Sequence, residues 1–156
     1  MGIVFRDTGT TGRAKTPFSE FETIDGKTYV YAITHATLAT RTSYRIGQDE
    51  YGFFTAALSA GNVSRVFRVG ANMDGAVTTG NRARLQIRGF FSSMVVPASQ
   101  TVSVGHALNL TAGVITDAAA DYGDLVTQFA TCVVATSSIA TCSVQLAGKY
   151  ITASCI

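Results

Sequence analysis

The stretch RARLQIRGF at residues 82–90 alternates without a break. Ala83, Leu85 and Ile87 point one way, and Arg82, Arg84, Gln86 and Arg88 point the other. A period of two marks a β-strand with one face buried and one face in water. Short runs of similar character recur along the chain: GFFTAAL, SRVFRVG, SMVVP, TQFATCVVAT and IATCSVQLA. They are rich in Thr, Val, Ile and Phe, and they are separated by glycines and by turn residues. No long segment carries apolar residues at helical spacing. The chain is therefore expected to be all-β, a small antiparallel barrel or sandwich.

The chain has 156 residues, enough for one domain with a core of its own. Only 14% of them are charged, against about a quarter in an average protein. So few charges suit a chain that is well buried or that sits inside an assembly. The net charge of +2 is too small to point to nucleic acid. The distribution says more. Residues 41–88 hold seven arginines against Asp49, Glu50 and Asp74, whereas residues 89–156 hold Lys149 against Asp117, Asp121 and Asp124. The middle is basic and its cations are arginines, whose planar, permanently charged forks match carboxylates and phosphates.

The first 50 residues read as an arm with a short hairpin, and residues 51–156 as the β-rich body. Residues 1–20 have no periodicity but contain Ile3, Val4, Phe5 and Phe18. A merely disordered tail has little use for four such residues, so they are taken as anchors of an arm that orders on a partner. Asp25-Gly26 between two extended runs signals a tight hairpin with positive φ at both turn positions. Residues 34–50, rich in Thr and Arg, read as a connector. The opening MGIVFRDTG reaches Arg6 before any apolar signal core forms, and no apolar run is long enough for a membrane span. Synthesis in a reducing cytoplasm, with no membrane partner, is the expectation.

Candidate chemistry is sparse. Cys132 and Cys142 flank a turn near Ser137, and a symmetric hairpin would set them opposite each other on its apolar side. There a free cysteine behaves as a small hydrophobe; a cross-strand disulfide is the alternative that the geometry permits and a reducing cytoplasm disfavours. A zinc site needs about four ligands, usually in close pairs, and C-x9-C with two histidines does not supply them. No metal and no cofactor are expected. His106 reads as a strand-end or surface histidine, and no nucleophile elbow accompanies it. Asp117, Asp121 and Asp124 lack the spacing of a calcium loop. No catalytic set assembles, so the chain is not expected to be an enzyme.

The arginines remain. Arg82, Arg84 and Arg88 share the polar face of one strand, and Arg65 and Arg68 lie on a nearby strand, where their odd spacing splits them between its faces. Such a face either keeps a strand edge soluble or meets an acidic partner. Aromatic residues do not interleave with these arginines along the sequence, as a platform for stacking bases would require, so nucleic acid is not expected.

Three stretches carry a resemblance: DGAVTTGNRARLQIRGFF, VSVGHALNLTAGVIT and GDLVTQFATCVVATSSIATCSVQLAG. Their order resembles the small capsid decoration, or cement, proteins of tailed bacteriophages. In that family a glycine-punctuated strand series leads to a V-G-x-x-L-x-L-x-x-G-x-I/V hairpin and a closing strand pair. Here that hairpin runs from Val104 through Leu108, Leu110 and Gly113 to Val114 and Ile115. The resemblance spans roughly residues 50–150, and the N-terminal 50 residues exceed what a minimal member needs. It implies a virion structural protein on the outer capsid surface, bridging major capsid subunits. It also implies a homo-oligomer, a trimer or a dimer. Contacts would come from the arm (Ile3, Val4, Phe5, Phe18) and from the basic face (Arg65, Arg68, Arg82, Arg84, Arg88). A tail or head-fibre component, or a carbohydrate-binding β module, is the alternative.

Overall fold

The computed structural model describes residues 20–22, 25–49, 52–58, 66–111, 114–117, 128–136 and 140–152. The arm anchors Ile3, Val4, Phe5 and Phe18, and also Arg65, lie outside them. The described residues form β1 (Glu20–Glu22), β2 (Thr28–Thr34), β3 (Ser43–Asp49), β4 (Gly52–Ala56), β5 (Val66–Asn72) and β6 (Arg82–Val95). After these come β7 (Ala107–Thr111), β8 (Val114–Asp117), β9 (Gln128–Val134), β10 (Thr141–Ala147) and β11 (Tyr150–Thr152). The all-β reading holds, and barrel and sandwich turn out to be two halves of one design.

Five strands close a barrel in the order β2–β4–β3–β5–β6, with β6 returning to pair β2. Closure removes the unpaired edges that an open sheet would expose. The β2–β4 pairing is parallel, with Ile33 opposite Phe54, and the other four are antiparallel. Val30, Ala32, Leu38, Ile46, Phe53, Ala83, Leu85 and Ile87 form the interior cluster. Space inside is tight. A Cβ on Gly70 would collide with Ile46 Cδ1 and stand 3.2 Å from Leu85 Cβ, so glycine here makes room for the isoleucine. Leu38 and Val77 exchange two backbone hydrogen bonds, of 2.8 and 3.1 Å, across the loops flanking β3 and β6. Asn72, wholly buried, organises the Asp74-Gly75 turn. Its Nδ2 donates to Ala39 O at 3.0 Å and Gly75 O at 3.2 Å, and its Oδ1 accepts from the Asp74 N–H.

The barrel therefore crosses position 50. The stretch read as a connector contains β3, which is hidden on both sides. Ile46 packs into the barrel, while Arg45 lies over Phe67 on the opposite side. A strand buried on both faces has no simple alternation to betray it. The Asp25-Gly26 hairpin does form between β1 and β2, with Glu22 opposite Thr28. Gly26 takes positive φ (78°) while Asp25 does not. The expected turn, with positive φ at both Asp25 and Gly26, therefore does not form.

β6 is the spine of the molecule. RARLQIRGF and SMVVP, read as separate strands, are one strand of 14 residues. Residues 82–88 pair with β2, and residues 88–95 pair with β10. The strand bends at Gly89 (φ 93°) and bulges at Ser93 (φ 54°), where the Ser93 N–H donates to Ser143 Oγ. Gln86, expected on the wet face, is fully buried just before the bend. Its Nε2 donates to Arg88 O at 3.1 Å and to Phe90 O at 2.9 Å, tying the two arms of the bend together.

Beyond the bend a second sheet continues as β6–β10–β9–β7–β8. Its inner face presents Phe91, Met94, Leu108, Leu110, Ile115, Cys132, Val144 and Leu146, which form one cluster with Phe67, Val69 and Ala71 of β5. The barrel wall thus doubles as one layer of a sandwich. β11, three residues long and unread in the sequence, pairs with the end of β5 that β6 leaves free, setting Ile151 opposite Phe67. Among the described residues no helix is long and apolar enough to cross a membrane.

Candidate interaction surface

The arginines separate into two populations. Arg82 and Arg84 are half-buried and Arg88 is exposed, all on the outer side of β6. Arg68 is not with them. It is 3% exposed, its guanidinium 5.5 Å from the Phe53 ring centre and 4.6 Å from that of Tyr150. Alternation along β5 turns Phe67, Val69 and Ala71 to the second core and leaves Arg68 and Gly70 on the barrel side. Arg45 is equally buried, 4.4 Å from the Phe67 ring centre, and burial pushes its guanidinium below the usual value. Arg45 and Arg68 are packing residues whose charge rests on aromatic faces.

The surface arginines have aromatic neighbours after all. β2 sets Tyr31 opposite Arg84 and Tyr29 opposite Gln86. The Arg82 guanidinium lies 5.6 Å from the Tyr31 ring centre, and that of Arg84 lies 5.1 Å from Tyr29. The rings interleave with the cations across the strand pair, which a reading along one strand cannot reveal. Burial lowers the Arg82 guanidinium below its ordinary value. Arg84 Nη2 also donates to Asp74 Oδ1 at 3.0 Å, in an ion pair exposed on both sides. Tyr29 is buried under this arrangement and Tyr31 is partly exposed. The stripe therefore offers guanidinium edges and one tyrosine to a partner, and most of its aromatic surface is used internally.

Cys132 and Cys142 are free, buried and on the core side of the second sheet. They are not opposite each other. A bulge between Ser143 and Val144 sets Val144 against Cys132, while Cys142 faces Met94 of β6. The thiols are diagonal neighbours that hydrogen-bond, and Cys132 Sγ also donates to Val134 O. Burial raises both, Cys142 to about 12, so neither is a ready nucleophile.

His106 has a partner. Its Nδ1 lies 2.8 and 2.9 Å from the two carboxylate oxygens of Asp117, linking the start of β7 to the end of β8. The Asp117 N–H donates to Gln100 Oε1. Asp121 and Asp124 lie outside the described residues. His35 stacks on Phe54 with ring centres 4.9 Å apart. Among the described residues no three potential ligands gather as a metal site.

No family model matches the chain, and no curated protein matches it. Among solved structures, the head fiber gp8.5 N base of bacteriophage phi29 is similar. It is 9% identical, with a TM-score of 0.48, and the match covers 78% of this chain and 94% of that one.

Proposed function

We propose that this chain is a structural protein of a phage virion, seated on the outer capsid surface and stabilising it by bridging major capsid subunits. The observation that carries this reading is the row of Arg82, Arg84 and Arg88 on the outside of a closed barrel, bordered by Tyr31. A row of guanidinium groups on a stiff frame suits carboxylates of an acidic protein surface. The mechanism is non-covalent and uses no cofactor, and no nucleic acid is needed. Each contact is weak, and repetition over a lattice multiplies it. The pattern of turns and strands shared with capsid decoration proteins supports the same reading.

The test is co-sedimentation with purified capsids of the parent phage across a salt series. Replacing Arg82, Arg84 and Arg88 together by Ala is expected to lower the bound fraction and to flatten its dependence on salt. Binding that is unchanged at every salt concentration would remove the arginine row from the account. A tail or head-fibre component, or a carbohydrate-binding module, is the alternative, and copy number in the particle separates it from a lattice-wide protein.

A further inference from the structure

The outer face of the second sheet differs from the rest of the surface. On β6, β10 and β9 the side chains turned away from the core are Phe90, Ser92, Ser143, Gln145, Thr131 and Val133. None is charged. Charge begins only at the rim, with Arg88 opposite Ala147. Phe90 and Val133 stand 42% and 43% exposed. Phe90, Gln145, Thr131 and Ala107 form one continuous row across four strands. Beside it Val104 and Val134 are also exposed, at the end of β9 where the Gly105 N–H donates to Cys132 O. A wet sheet face normally carries Lys, Glu or Arg, which keep copies apart. Charge depletion with isolated large apolar groups is the composition of an interface core.

We propose that this face is a homotypic interface, packing against the same face of a second copy of this chain. Symmetry supplies the first argument. Across a two-fold axis each group meets its own kind or a copy of its neighbour. Ser, Thr and Gln both donate and accept, so they satisfy themselves in such a pairing, whereas a charged group would face its own charge. The second argument is electrostatic. The chain is positive overall, and its arginine row repels a second copy; this sheet face is where two copies approach without that cost. An acidic partner gains nothing from it. The size sets the strength. Four strands about 4.8 Å apart and about six residues of 3.4 Å give a footprint of roughly 400 Å². That lies below the usual share of a tight complex, so the isolated pair is weak and reversible. The inference is independent of the virion reading, and its deciding measurement needs only the chain itself.

The experiment is sedimentation equilibrium of the full chain from micromolar to millimolar concentration, beside Val133→Lys and Gln145→Lys, singly and together. The wild type is expected to move toward twice the monomer mass, and the double variant to need at least tenfold more protein for the same dimer fraction. Thermal unfolding at the lowest concentration should be the same for all, which certifies that the variants fold. A wild type that stays monomeric throughout overturns the proposal, and so does a double variant that associates as tightly as the wild type. If the monomeric wild type loses thermal stability on Val133→Lys, the chain's own residues cover the face. If the variant instead loses only capsid binding, the face belongs to the capsid. Either result replaces a second copy as the occupant.

Discussion

Gln86 is the residue on which the joining of barrel and second sheet most depends, and Gln86→Leu tests that dependence. The substitution keeps the side-chain volume nearly constant and removes the two bonds from Nε2 to Arg88 O and Phe90 O. The site is fully buried, so water does not replace the lost donor. Each of the two acceptors stranded in this way costs about 1–3 kcal/mol. Against that, Gln86 Oε1 has no partner among the described residues, and leucine relieves this one burden of the same size, about 1–3 kcal/mol. The balance is a loss of about 2 kcal/mol, read as a lower urea midpoint at an unchanged slope, with Tm down by about 4–8 °C. Gln86→Glu extends the test. An ionised carboxylate would confront two carbonyl oxygens, so its folded-state pKa would be raised. That stability is present below the unfolded pKa of about 4.3 and is lost as pH rises through the folded value. The Glu variant should approach the wild type at acid pH and fall away above it. A Leu variant as stable as the wild type would refute the clamp, and a Glu deficit independent of pH would refute its electrostatics.

Further expectations follow from the two cores and the arm. Cys142 titrates near 12 in the folded chain against an ordinary 9.0, so its contribution is complete below about pH 9 and is lost as pH climbs toward 12. Unfolding followed from pH 8 to 11 should decline less steeply in Cys142→Ala than in the wild type, and parallel curves would contradict the buried-thiol assignment. Gly70→Ala forces a methyl group against Ile46 inside the barrel and should cost about 1–3 kcal/mol in urea unfolding, whereas a change below about 0.5 kcal/mol would mean a looser interior. Deleting residues 1–19 leaves β1 in place, so the body should unfold at the same temperature while capsid binding weakens. Decoration as tight as that of the full chain would end the arm proposal.

The sequence is legible where one face of a strand is buried and the other is wet. Arg82 to Leu85 is such a case, with Ala83 and Leu85 buried and Arg82 and Arg84 half-buried. The hairpin of β7 and β8 is legible from its spacing instead, with Thr111 directly opposite Val114 although Asn109 is buried beside Leu108 and Leu110. It is least legible where both faces are buried. β3 was hidden between Ile46 and Arg45, and Arg68 looked like a surface residue because alternation does not say that both sides of β5 are cores. Pairing between distant strands is the other blind spot. Tyr29 and Tyr31 meet Arg84 and Arg82 only because β2 closes the barrel on β6, some fifty residues away. The symmetric spacing of the two Ala-Thr-Cys tripeptides suggested opposed cysteines, and one bulge at Ser143 shifted the register. A bulge changes the pairing count by one residue and leaves the hydrophobic pattern almost intact.

The central claim is that this chain is a built-in part of a virus particle, and counting it there tests that most directly. Purified particles, digested and quantified by mass spectrometry against the major capsid protein, should contain it at a ratio comparable to that of the capsid subunits. A few copies per particle would contradict the lattice-wide role and place it with tail or fibre parts, and absence from particles would contradict the virion reading altogether.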